Sequence, residues 1–200
     1  MSALPARGTP LWVLALWLVP LLVPDRRLRL AAAVVAASAL SFFRDPERRP
    51  DGAGFVAAAD GLIRDVSQGE DGRWLVSTYL SLRDVHVTRA PEDATIARQD
   101  YRRGTHRAAY HDAASRNERL AWDLETVHGP MRLVQYSGAV ARRIVPYETA
   151  GARVARGARL GLIRFGSRVD VTLPPGAVPL VAVGARVRAG KTRIGMIGEA

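Results

Sequence analysis

The sequence predicts a mainly β (α+β) protein. An antiparallel β domain over residues 44–200, built with a duplicated hairpin motif, follows an apolar, helical, membrane-anchoring segment over residues 1–43. Three observations predict it. After residue 50, short runs rich in Val, Ile, Leu or Thr recur and are broken by Gly, Asp or Pro; their spacing of roughly eight to twelve residues is that of antiparallel sheet. Long stripes of helical period are absent from the same region. Before it, two almost wholly apolar runs are punctuated by arginine clusters.

The apolar runs are residues 11–24 (LWVLALWLVPLLVP) and 30–43 (LAAAVVAASALSFF), separated by DRRLR. At ~1.5 Å per residue each makes roughly 21 Å of helix, short of a bilayer core about 30 Å thick. A hairpin entering one leaflet, or helices lying at the interface, fits these lengths better than a span. Arg26, Arg27 and Arg29, with Arg44, Arg48 and Arg49, would then share the anionic cytoplasmic face. The expected location is the cell membrane, peripheral or monotopic, on the cytoplasmic side. A cleavable signal peptide is the rival reading. A single early charge (Arg7), Pro20 and Pro24, and the second apolar run all weaken it.

Composition narrows the classes of function. The 200 residues suit one domain with a real core. Cysteine is absent, which removes disulfides and thiol chemistry. The formal charge is +10, and all but one of the 29 basic residues are arginine. Such a surface attracts polyanions. No nucleic-acid motif accompanies the charge, so anionic lipid is the expected partner rather than nucleic acid.

Strands are expected near Gly54–Ala58, Leu62–Val66, Arg73–Tyr79, His86–Thr88, Thr95–Ala97, Leu120–Val127 and Met131–Tyr136. Others are expected near Ala139–Val145, Arg159–Phe165, Arg168–Leu173 and Val178–Val183. Residues 105–119 are polar and read as a loop or short helix. A phrase recurs in the tail: Gly151-Ala-Arg-Val-Ala-Arg-Gly157 and Gly184-Ala-Arg-Val-Arg-Ala-Gly190, each followed by an apolar residue and another glycine. It is similar to the hairpin of lipoyl- and biotinyl-type β domains.

Several residues could carry chemistry. Asp60-Gly61 follows a strand-like run and, taken alone, reads as a hairpin turn. Strand alternation puts Asp84, His86 and Thr88 on one, polar, face. His106, His111 and His128 lack the spacing of a metal site, and no metal is assigned. Asn117-Glu118-Arg119 could anchor a loop, and Arg142-Arg143 could hold a phosphate. Gly166-Ser167, between the two glycine repeats, reads locally as a turn pair.

Together these pieces resemble the short bacterial and archaeal form of phosphatidylserine decarboxylase. The matching stretches, in order, are Phe43-Arg44-Asp45-Pro46-Glu47-Arg48, Ala59-Asp60-Gly61 and Asp84-Val85-His86-Val87-Thr88-Arg89-Ala90-Pro91. Asn117-Glu118-Arg119, Ala141-Arg142-Arg143-Ile144-Val145 and Ile163-Arg164-Phe165-Gly166-Ser167-Arg168-Val169-Asp170 complete the set. The resemblance implies a proenzyme that cuts itself between Gly166 and Ser167, giving a β chain (1–166) and an α chain (167–200) held as a heterodimer. It implies that Ser167 becomes a covalent pyruvoyl group, the cofactor. A Schiff base to that group would convert membrane phosphatidylserine to phosphatidylethanolamine and CO2. Ser167, His86 and Asp60 are the expected catalytic residues. Longer members carry a second histidine where this chain has Arg89, so His86 matches the decarboxylation residue more directly than the cleavage base. Arg44, Arg89 and Arg143 are candidates for the substrate phosphate from residue type alone. The alternative is an uncleaved, membrane-anchored, lipoyl-like carrier or binding module using Lys191. A homo-oligomer is compatible with either reading.

Overall fold

The computed structural model describes residues 4–104, 117–138, 143–164 and 167–198, the side chain of Ser167 excepted. Gly166, Arg142, His106 and His111 lie outside the described residues, as does most of the expected polar loop. The chain divides into two compact units, Met1–Glu47 and Arg48–Ala200.

The first unit is helical. Helix α1 (Leu11–Ala15) passes through a 3-10 turn (Leu16–Leu18) into α2 (Val19–Leu22). Pro20 explains the interruption: it has no N–H to give the carbonyl four residues back, and its ring crowds that carbonyl. Helix α3 (Arg26–Phe42) follows. Its N-cap is Asp25, whose carboxylate accepts from the amides of Arg27 and Leu28, both at 2.9 Å. A short ladder, β1 (Leu4–Pro5) with β2 (Arg44–Asp45), ties the two ends of the unit together. Leu11, Leu21 and Leu22 are 82%, 79% and 80% exposed, and Leu28, Leu30, Val34 and Val35 of α3 are exposed as well. Among the described residues no helix is long and apolar enough to cross a membrane.

The second unit is antiparallel β throughout. Its strands are β3 (Phe55–Val56), β4 (Gly61–Gln68), β5 (Trp74–Leu80), β6 (Val87–Arg89), β7 (Ala94–Arg102), β8 (Arg119–Thr126) and β9 (Gly129–Ser137). There follow β10 (Ile144–Pro146), β11 (Arg153–Val154), β12 (Arg159–Ile163), β13 (Ser167–Thr172), β14 (Ala177–Pro179), β15 (Arg186–Val187) and β16 (Arg193–Ile197). An eight-stranded sheet runs β11-β7-β8-β9-β13-β5-β4-β15, and two three-stranded sheets run β10-β12-β6 and β14-β16-β3. Trp122, Ile63, Ile96, Leu120, Leu124, Leu133, Leu160 and Val169 meet in the core. Each apolar side chain so buried contributes about 1.5–3 kcal/mol.

The duplication suggested by the repeated phrase extends through this unit. Gly151 N–H donates to Ile96 O at 2.8 Å, and Gly184 N–H donates to Ile63 O at 2.8 Å. The amides of Ile96 and Ile63 return bonds to Ala152 O and Ala185 O, both at 2.9 Å. Gly157 N–H meets Ala90 O and Gly190 N–H meets Ala57 O, each at 2.8 Å. The sequence offset between counterparts is the same in every case. Even the bulges correspond: β4 slips after Ile63 and β7 after Ile96. One half is therefore β6 to β12, and the other is β3-β4-β5 completed by β13 to β16. The first is inserted into the second, and the chain passes between halves twice, after β5 through 81–86 and between β12 and β13.

Several expectations need correction. Asp60-Gly61 is not a hairpin turn but the entry to β4. Strand β6 starts at Val87, and its neighbourhood is buried on both faces. Asp84, His86 and Thr88 therefore do not form a solvated face: all three are buried. β7 is far longer than Thr95–Ala97, since its polar second half pairs with β8 through Arg102.

Candidate active site

The two crossings converge. Ser167 opens β13, and its register partners are Leu80, the last residue of β5, and Ser137, the last of β9. Before the crossing, Ile163 N–H donates to His86 O at 3.1 Å and Arg164 N–H to Arg143 O at 3.2 Å. Sheet pairing thus carries the 81–86 segment, the end of β9 and the start of β13 to one place. His86 stands within this set because β6 pairs with β12.

His86 is fully buried. Its Nδ1 lies 2.9 Å from Asp84 O. A carbonyl only accepts, so Nδ1 carries a proton, and Nε2 is the ring nitrogen left to exchange one. The Asp84 carboxylate fixes the turn behind it, accepting from Ser81 N–H at 2.8 Å and Ser81 Oγ at 2.7 Å. Arg186 Nη1 approaches the other oxygen at 3.2 Å. Burial pushes the Asp84 carboxyl up, but the Ser81 hydroxyl and amide and then Arg186 outweigh it and hold the group below its ordinary value.

Asp60 is buried and bound bidentately by Arg48; Nη2 to Oδ2 is 2.8 Å. Ala189 N–H also donates to Asp60 Oδ1 at 2.8 Å, and Arg48 Nη1 to Ala189 O at 2.9 Å. The carboxylate therefore staples the Ala57–Asp60 segment to the turn before β16. That segment reaches β6 through Arg89 N–H to Ala58 O at 2.8 Å. The three candidate arginines take separate places. Arg89 is 3% exposed, and its Nη1 donates to Gly157 O at 2.9 Å. Arg44 belongs to the first unit and donates to Ser41 O at 2.6 Å, near the end of α3. Arg143 is exposed at the start of β10.

Other polar residues complete this place, Trp122 and Gln135 among them, which sequence reasoning passed over. Trp122 Nε1 donates to Gln135 Oε1 at 2.8 Å, and Gln135 Nε2 to Thr88 Oγ1 at 2.9 Å. All three residues are fully buried, and they join β8 and β9 to the strand that follows His86. Asn117 Nδ2 donates to Ser137 O at 2.8 Å. Glu118 accepts from Tyr101 Oη and from Ile144 N–H. Burial, then the Glu118 carboxylate, pushes the Tyr101 phenol up to about 12. Asn117 and Glu118 were legible as a motif. Gln135 was not, because nothing in a strand of alternating residues marks one polar side chain as inward.

A residue bearing a ketone at position 167 would need a hydrogen-bond donor. Ser137 Oγ is fully buried, has no hydrogen-bond partner among the described residues, and stands opposite residue 167 in the ladder. A pyruvoyl group, whose carbonyls only accept, fits that vacant donor.

The sequence model of the family described as phosphatidylserine decarboxylase matches residues 35–195. The chain is 44% identical over 197 residues to a phosphatidylserine decarboxylase proenzyme of Thermobifida fusca, covering 94% of this chain and 91% of that one. It is 42% identical to one of Streptomyces coelicolor, covering 94% and 90%. It is 43% identical over 162 residues to a provisionally named archaetidylserine decarboxylase proenzyme of Halobacterium salinarum, covering 79% and 80%. By family match and by shared length, this chain belongs to the phosphatidylserine decarboxylase family.

Proposed function

We propose that this chain is the proenzyme of a phosphatidylserine decarboxylase that cuts itself between Gly166 and Ser167. The observation that carries the reading is the place of residue 167. It begins a central strand held on both sides, where the two crossings meet and His86 is buried alongside. In the first reaction Ser167 Oγ adds to the Gly166 carbonyl and the peptide C–N bond breaks, leaving an ester and a free amine. Loss of the Cα proton expels the Gly166 carboxylate. The dehydroalanine left at 167 tautomerises and takes up water, releasing ammonia and leaving the pyruvoyl group.

The pyruvoyl ketone supplies an electrophile for the serine amine of the lipid and a sink for the electron pair left by CO2. The protein supplies the rest. His86 Nε2, its ring oriented by the Nδ1 bond to the Asp84 carbonyl, takes up a proton and gives it to the carbon that lost its carboxylate. Asp60 acts through position: with Arg48 it fixes the segment that pairs with Arg89. Of the arginines taken from residue type, Arg143 is exposed beside β10, whereas the buried Arg89 guanidinium secures Gly157.

The exposed leucines and valines of α1 to α3, beside Arg26, Arg27 and Arg29, suit a peripheral or monotopic attachment to the cytoplasmic face of the cell membrane. There the substrate is phosphatidylserine. The carrier alternative is not favoured: Lys191 lies on the turn before β16, with its Nζ 3.5 Å from Asp51.

Intact-mass spectrometry of the purified protein tests the proposal. Two fragments are expected, the smaller beginning at residue 167 and blocked by a ketone, with CO2 released from phosphatidylserine. Ser167→Ala should give one full-length, inactive chain. A wild-type chain of full mass, or a Ser167→Ala chain that still decarboxylates, sinks the reading.

A further inference from the structure

An open cavity of about 580 Å³ lies where β4 begins and β5 ends, lined by Leu62, Arg64, Tyr79, Leu80, Asp84 and Arg186. It borders both candidate groups. Leu80 is the register partner of Ser167, and the Asp84 carbonyl holds His86. Its cations are Arg64 and Arg186. Arg186 gives one nitrogen to Asp84 at 3.2 Å, and its side chain is 69% exposed, so the rest of its fork faces the opening.

Arg64 is there because of a bulge. Ile63 pairs with Thr78 and Asp65 with Ser77, so Arg64 is the extra residue, turned out of the ladder. In the other half of the duplication the same position is Ala97, between Ile96 and Arg98. The fold therefore builds this bulge without a cation, and Arg64 is present for something other than the bulge.

We propose that this cavity is the phosphodiester subsite for the lipid head group, with Arg64 and Arg186 as its ligating residues. The inference rests on the function proposed above. A serine-headed phospholipid carries its phosphodiester a few bonds from the amine that must reach residue 167. The anion must therefore lie beside that residue, as this cavity does. Guanidinium forks match phosphate oxygens and are held there by geometry as well as charge. The apolar walls of Leu62, Leu80 and the Tyr79 ring exclude water and strengthen the contact.

The test uses the processed enzyme and dihexanoyl phosphatidylserine, a dispersed lipid, so that attraction to a bilayer is not read. Arg64→Gln/Arg186→Gln is compared with wild type and with a charge-matched control away from the cavity, Arg73→Gln/Arg132→Gln, half-buried before β5 and exposed on β9. We expect complete self-cleavage in all three. For the cavity double variant, KM should rise about tenfold or more, the loss of one to two charged hydrogen bonds, with kcat within about twofold. Glycerophosphoserine should compete in wild type and lose its effect in that variant. An active wild type whose KM is unchanged by the cavity variant, or changed equally by the control, overturns the subsite. Inorganic phosphate competing as well as glycerophosphoserine overturns the phosphodiester assignment in favour of a free-phosphate site. A wild type inactive on phosphatidylserine overturns the proposed function itself, a result distinct from all of these.

Discussion

Ser137 stands out at the scale of single residues. Leaving a buried hydroxyl without a partner costs about 1–3 kcal/mol, and this one stands opposite the residue that the reaction is proposed to transform. Around it the polar side chains are satisfied in a chain: Trp122 to Gln135 to Thr88 across two sheets, and Asn117 to the Ser137 carbonyl. These bonds hold β6 and the end of β9 in fixed relation, and so hold His86 against the crossing. The division of labour at His86 can be measured. We expect His86→Gln to be cut normally and to lose about a hundredfold or more in kcat, the usual worth of a positioned proton donor. A chain that stays uncut would move His86 to the cleavage step instead. Of the candidate residues, His86 and Ser167 were legible because their neighbours in sequence form recognisable motifs. The partners of Asp60 were not, since Arg48 and Ala189 reach it only through the fold.

Among the elements, strand pairing decides which glycines are indispensable. Gly61 has φ +149°, and a Cβ placed there would lie 2.2 Å from Tyr79 O. No side chain moves to relieve that, because the obstacle is the backbone of the paired strand. Gly72 also has positive φ, at +75°, but a Cβ there meets nothing within 4 Å. Gly72→Ala should therefore cost only the backbone term, about 1–2 kcal/mol, whereas Gly61→Ala should exceed ~3 kcal/mol. Urea unfolding in the uncut Ser167→Ala background checks both, and equal losses would show that the close approach at Gly61 is relieved. The repeated Gly-Ala-Arg-Val phrase was visible as letters. That it marks two halves with matching bulges at Ile63 and Ile96 was not, because bulges are set by pairing across strands distant in sequence.

For the molecule as a whole, the insertion of one half into the other explains how a chain could be cut and stay assembled. Strand β13 pairs along its full length with β5 on one side and β9 on the other. Beyond it, β15 pairs with β4 and β16 with β3. Residues 167–198 are thus bonded into every part of the eight-stranded sheet's second half, and Val169, Val171, Leu173 and Ile194 lie in the core. The two fragments should co-elute on gel filtration at native pH and separate only in denaturant. A small fragment lost under native conditions would show that β13 is released by the cut. The +10 charge and the exposed apolar helices place this assembly's substrate at a lipid surface under the proposed function.

The sequence by itself determined the β class, the apolar helical N-terminus, the glycine repeat and the family resemblance. Each of these is written in local pattern: alternation, run length, turn residues and motif order. Tertiary structure alone decided that the chain passes between halves after β5 and again between β12 and β13, that Arg89 is buried on Gly157 while Arg64 and Arg186 face a cavity, and that Asp60 is held by Arg48. Those facts depend on which strands pair. Strand pairing joins residues far apart in the chain, and no local pattern records the partner.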